Sequence, residues 1–132
     1  MASGQGSVAS RAELVRMLVL NVISDDYENL VVAIEPPVVR DGAMCGLEID
    51  RTQIVRALTE LVELGWAKAY RFGGVSREVP PPIDGMLSLK EMEDPLVGYF
   101  YITPAGRKAQ DSYPYPFDDQ GEVRKDWKPP ES

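Results

Sequence analysis

Asp50–Phe72 reads DRTQIVRALTELVELGWAKAYRF, and its two halves follow different periods. In the first half Ile54, Leu58 and Leu61, with Val55 and Val62 beside them, recur at the three- and four-residue spacing of one helix face. Asp50 is a good N-cap, and Gln53 stands where a capping-box partner belongs. Gly65 is placed to end the helix in a left-handed conformation. From Trp66 to Phe72 the pattern becomes strand-like alternation, and Gly73-Gly74 turns the chain. A helix running straight into a strand is the core of the prediction.

Downstream, residues 73–96 form a long excursion. Pro80-Pro81-Pro82 within it favours an extended backbone. Ser88-Leu89-Lys90-Glu91 can cap a short helix, and Met86, Leu87 and Leu89 can pack the excursion back onto the domain. Val97–Thr103 (VGYFYIT) is rich in aromatic and branched residues and reads as a strand. Thr103-Pro104 is a cap followed by proline at the first helical position, so a helix runs from there to about Gln110. Residues 112–132 mix Pro, Asp and aromatics without a period. Tyr113, Tyr115, Phe117 and Trp127 would be a liability if exposed, so this tail is expected to wrap on its own domain or on a sister protomer.

Upstream, residues 1–9 read as a flexible leader. Ser10 and Glu13 form a capping box ahead of a helix that carries Leu14, Val15, Leu18 and Val22. Met17, Val19, Leu20 and Ile23 make it apolar on most sides, which places it centrally in the core or in a dimer interface. Asp25-Asp26 ends it and caps a second helix beginning near Tyr27. Leu30–Ile34 fits a strand as well as a helical turn; we read it as helix, stopped or kinked by Pro36-Pro37. Gly42 and Gly46 then punctuate a connector that reaches the third helix.

The order is therefore three helices, a strand, a long turn, a strand and a last helix, mainly α with a small antiparallel β-hairpin over residues 10–111. Two stretches resemble the winged helix-turn-helix of MarR-like and PadR-like transcriptional regulators. Leu61-Val62-Glu63-Leu64-Gly65-Trp66 is similar to the junction between recognition helix and first wing strand. Tyr101-Ile102-Thr103-Pro104-Ala105-Gly106-Arg107 is similar to the segment that closes the wing and opens the last helix. The chain departs from the pattern in two places. Residues 36–49 separate helices two and three, where a tight turn is usual, and the wing excursion is long.

The resemblance implies a homodimer on double-stranded DNA. Arg51, Thr52, Gln53 and Arg56 would read bases from the third helix, and Lys68, Arg71 and Arg77 would hold phosphates. Charge points the other way. The 132 residues carry a net charge of −7, whereas phosphate binding draws its affinity from cations. Over residues 51–77 five cations face two carboxylates, and the excess vanishes once Glu48, Asp50 and Glu78 are counted. A winged-helix module that binds a protein partner is the alternative.

The chain contains no histidine, which removes the commonest general base and zinc ligand. No nucleophile–base pair, glycine-rich phosphate loop or metal spacing stands out, so a non-enzyme without cofactor or metal is expected. Asp118-Asp119-Gln120-Gly121-Glu122 lacks the ligand alternation of a calcium loop. Cys45 is the only cysteine and lies in an apolar context, which predicts a buried thiol. The apolar runs Leu14–Ile23 and Leu30–Ile34 fall short of the roughly 20 residues that span a bilayer. Residues 1–9 lack the basic start and apolar run of a signal peptide, so the cytoplasm is the expected compartment.

Overall fold

The computed structural model describes residues 10–72 and 82–130. The expected leader, residues 1–9, and Arg77 lie outside them. The described residues are mainly helical, with one two-stranded antiparallel sheet.

Helix α1 spans Arg11–Val22, and Ser10 caps it by accepting from the Glu13 amide at 3.0 Å. Leu14, Val15, Met17, Leu18, Val19 and Leu20 are all buried, so α1 is the central element. It is greasy on most sides because it is covered on most sides, by α2 and α3 and by the tail.

Helix two differs from the expectation. Residues 27–28 are not helical; Glu28 exchanges both backbone hydrogen bonds with Phe100, at 3.0 and 2.9 Å. Among the described residues Asp26 accepts only from the adjacent Tyr27 amide. The cap is Asn29, whose side chain accepts from Val31 and Val32. Leu30–Ile34 then forms a π-helical turn that runs directly into α2, Glu35–Met44. Pro36 and Pro37 neither stop the helix nor open a connector. They stand in the first turn of α2, where a missing N–H is tolerated.

Residues 36–44 are thus helix, and only Cys45–Asp50 joins α2 to α3. Gly46, at φ 80°, turns the chain out of α2. Gly42 is not a loop glycine: it is buried in α2, and Ile49 packs against its bare Cα.

Helix α3 spans Arg51–Glu63, with a complete capping box between Asp50 and Gln53. Ile54, Leu58 and Leu61 are buried, and Val55 and Val62 pack beside them. Gly65 takes the left-handed conformation at φ 78°. Strand β1 (Ala67–Arg71) pairs with β2 (Gly98–Ile102) in the register Ala69↔Phe100. Ala67, Ala69, Phe100 and Ile102 face the helices; Lys68, Tyr70, Tyr99 and Tyr101 face outward.

Between the strands, Ser88 caps the short helix α4, Leu89–Met92, as expected. Of the expected anchors, Met86 and Leu87 do pack on the core and only Leu89 does not. Leu87 and Met92 are buried, whereas Leu89 is exposed. Gly98 allows this approach, since a Cβ there would stand 2.6 Å from the Glu91 carbonyl oxygen.

Helix α5, Pro104–Ser112, starts from Thr103. The Thr103 hydroxyl accepts from the Gly106 amide at 3.1 Å and donates to the Gly65 carbonyl at 2.7 Å. Gly106 packs against the Trp66 carbonyl, with no room for a side chain. The Leu61–Trp66 and Tyr101–Gly106 segments therefore meet and form one corner.

The tail returns across α1. Tyr113, Tyr115, Phe117 and Trp127 pack on the core, and the Tyr115 hydroxyl donates to the Met17 carbonyl at 3.0 Å. No helix among the described residues is long and apolar enough to cross a membrane.

Candidate nucleic-acid interface

The first turn of α3 is where the sequence places its base-reading residues, and local physics has already engaged part of that set. The Asp50 carboxylate accepts from the Gln53 amide at 2.9 Å, and Gln53 Oε1 accepts from the Asp50 amide at 2.8 Å. Gln53 thereby closes its own helix start. Reading a base would require it to leave the cap.

Arg51 is engaged more strongly. Its Nη2 and Nε donate to Glu35 Oε1 at 2.7 and 2.9 Å, and its Nη1 donates to Glu93 Oε2 at 2.8 Å. Glu35 opens α2 and Glu93 follows α4, so the guanidinium ties three elements together. Hydrogen bonds first to Glu35 and then to Glu93 push its pKa up. On β1, Arg71 Nε donates to Glu91 Oε2 at 2.6 Å, which also raises the arginine pKa. The same contact, with the Ser88 amide, pulls the Glu91 carboxyl down to about 2.

Thr52 and Arg56 are exposed, and Arg56 makes no ion pair among the described residues. Lys68 is exposed on the outward face of β1, across from Tyr101. The seven expected residues thus divide. Arg51 and Arg71 are neutralised by carboxylates, Gln53 is in a cap, and Thr52, Arg56 and Lys68 face solvent. Arg77 is outside the described residues.

Sequence reasoning missed Arg11. Together with Arg56 and Gln53 it lines a small groove of about 100 Å³ between the first turn of α1 and α3. Glu60 lines it too, but accepts from Arg16 at 3.1 Å. Nothing in the order of residues 11–56 signals that these helix starts lie side by side. A larger, open groove of about 520 Å³ runs between the second half of α3, β1 and Ile83–Met86. Its charged residues, Glu63, Lys68 and Asp84, carry mixed signs.

Aromatic rings tile the outward face of the sheet. Tyr27 meets Tyr70 edge-on at 4.9 Å and lies tilted against Tyr101 at 4.7 Å. The Arg107 guanidinium sits 5.8 Å from the Tyr101 ring centre and donates to its hydroxyl at 2.9 Å. Cys45 is buried, and burial followed by Asp41 pushes its thiol up to about 11, an unreactive setting. Asp118 spends its carboxylate on the Gln120 and Glu122 amides of its own turn. Among the described residues no group of carboxylates and cysteine is arranged to hold a metal ion.

No protein-family model, curated protein or solved structure matches the chain.

Proposed function

We propose that the chain is a winged-helix DNA-binding regulator. In this reading α2, Cys45–Asp50 and α3 form its helix-turn-helix, and β1 with β2 forms its wing. The observation that carries it is the short Cys45–Asp50 link, which leads into an α3 start where Thr52 and Arg56 face solvent. The separation expected between helices two and three is absent, which supports the reading of α3 as the helix that enters the groove. Arg56 has the fork to bind guanine, and Thr52 can accept or donate at a base edge. Arg11 and Lys68 flank them as phosphate contacts. A homodimer on paired half-sites completes the proposal.

A second reading, a winged-helix module that docks a protein, has its own support. Arg51 and Arg71 are satisfied within the chain, and the net charge is −7. A polyanion meets fewer open cations here than the sequence suggests.

Fluorescence anisotropy with mixed-sequence duplex DNA separates the two. A regulator binds at low salt and loses affinity steeply as salt rises. Arg56→Ala is expected to weaken binding by roughly ten-fold or more, the range for one arginine at a base edge. Absence of binding at low salt overturns the DNA reading.

A further inference from the structure

Arg71 and Arg51 come from two elements of the surface offered to DNA, one on β1 and one at the start of α3. The carboxylates that meet them come from one short stretch. Glu91 and Glu93 flank Met92, a buried residue that fixes the stretch to the core. The Asn29 amide strengthens that attachment by donating to the carbonyls of Met92, Asp94 and Gly98, at 3.1, 3.1 and 2.8 Å. Gly98 lets α4 lie close on β2. The two carboxylates are therefore placed by packing rather than drifting on a loose loop.

We propose that α4 and the turn after it act as an internal acidic clamp, in which Glu91 and Glu93 occupy the cations that DNA phosphates would otherwise meet. This rests on the DNA-binding reading of α3. Around Arg51 and Arg71 the three carboxylates of Glu35, Glu91 and Glu93 outnumber the two guanidinium groups. The site presents net negative charge to an approaching backbone. The arginine side chains nevertheless remain 40 % and 50 % exposed, so phosphates can reach them. Exposed ion pairs of this kind are weak and salt-sensitive. The clamp therefore competes with DNA without excluding it. Removing its charge, by substitution or by a cationic partner over α4, raises affinity for duplex DNA.

The test is the double variant Glu91→Gln/Glu93→Gln, compared with wild type in binding to mixed-sequence duplex DNA across a salt series. Glutamine at position 91 still serves the capping box with Ser88. Thermal melting checks that both proteins are folded to the same extent. The expected result is about ten-fold tighter binding at low salt. The slope of log affinity against log salt should also steepen by roughly 1, since each cation released to a phosphate adds about 0.9 and Arg71 is freed outright while Arg51 keeps Glu35. If both proteins bind alike, or the variant binds more weakly, the clamp is wrong and the DNA reading stands. Tighter binding with an unchanged slope also overturns the clamp, because no new phosphate contact has formed. Absence of binding by either protein overturns clamp and DNA reading together.

Discussion

Asn29 shows how much one side chain can hold. Its Oδ1 accepts from the Val31 and Val32 amides, at 3.0 and 3.3 Å, and starts the π turn. Its Nδ2 reaches three carbonyls between the end of α4 and the start of β2, and the residue is buried. Asn29→Ala removes a helix cap and leaves buried carbonyls without donors. We expect a loss of about 2–4 kcal/mol in urea denaturation. Asn29→Asp keeps the cap but turns an acceptor toward those carbonyls, so it should be no better. Capping is local, which is why Ser10, Asp50, Ser88 and Thr103 were legible in the sequence. Asn29 was not, because its deciding partners lie 63 to 69 residues away and Asp25-Asp26 offered a plausible local alternative.

Elements follow the same division. Helix α3 was readable because its apolar stripe, cap and terminating glycine all agree. Helix two was misread because Pro36-Pro37, Gly42 and Gly46 are all breakers by local statistics. The prolines stand in the first turn of α2, directly behind the π turn, and Gly42 serves packing. This yields a sharp expectation. On propensity alone Gly42→Ala should stabilise α2 by about 1 kcal/mol. The contact with Ile49 reverses the sign, because an added Cβ overlaps its side chain. We expect Gly42→Ala to destabilise by about 1–3 kcal/mol, the range for overpacking. In a double-mutant cycle, Gly42→Ala combined with Ile49→Ala should cost less than the sum of the two. Additive costs would show that the close approach is unimportant.

Across the whole molecule, residues 113–130 behave as part of the domain. Their aromatic side chains pack against the core, and the Tyr115 hydroxyl donates to the Met17 carbonyl of α1. Burial pushes the Tyr113 hydroxyl up to about 12, and Tyr115 higher still. Both tyrosines are docked as neutral groups. Their contribution is complete below the unfolded tyrosine pKa near 10 and is lost as pH rises through their folded values. A chain ending at Ser112 should melt at lower temperature and bind a hydrophobic dye. It should also lose the alkaline transition that tyrosine absorbance reports in the full chain; an unchanged melting temperature would contradict the packing of the tail. The sequence foresaw a docked tail from its aromatics alone. The state of the candidate DNA-contacting residues was only partly legible, because helical spacing tells which side chains leave the α3 surface but not which carboxylates meet them. Glu35, Glu91 and Glu93 come from other elements, and Arg11 joins Arg56 only once α1 and α3 are packed.

DNA binding through α3 is tested most directly by titrating the isotope-labelled protein with mixed-sequence duplex DNA at low salt and following backbone amide resonances. The predicted result is salt-reversible shifts concentrated on Arg11, Thr52, Arg56 and Lys68, with the tail and the far face of α2 unmoved. An unchanged spectrum, or shifts confined to surfaces away from α3, would contradict it.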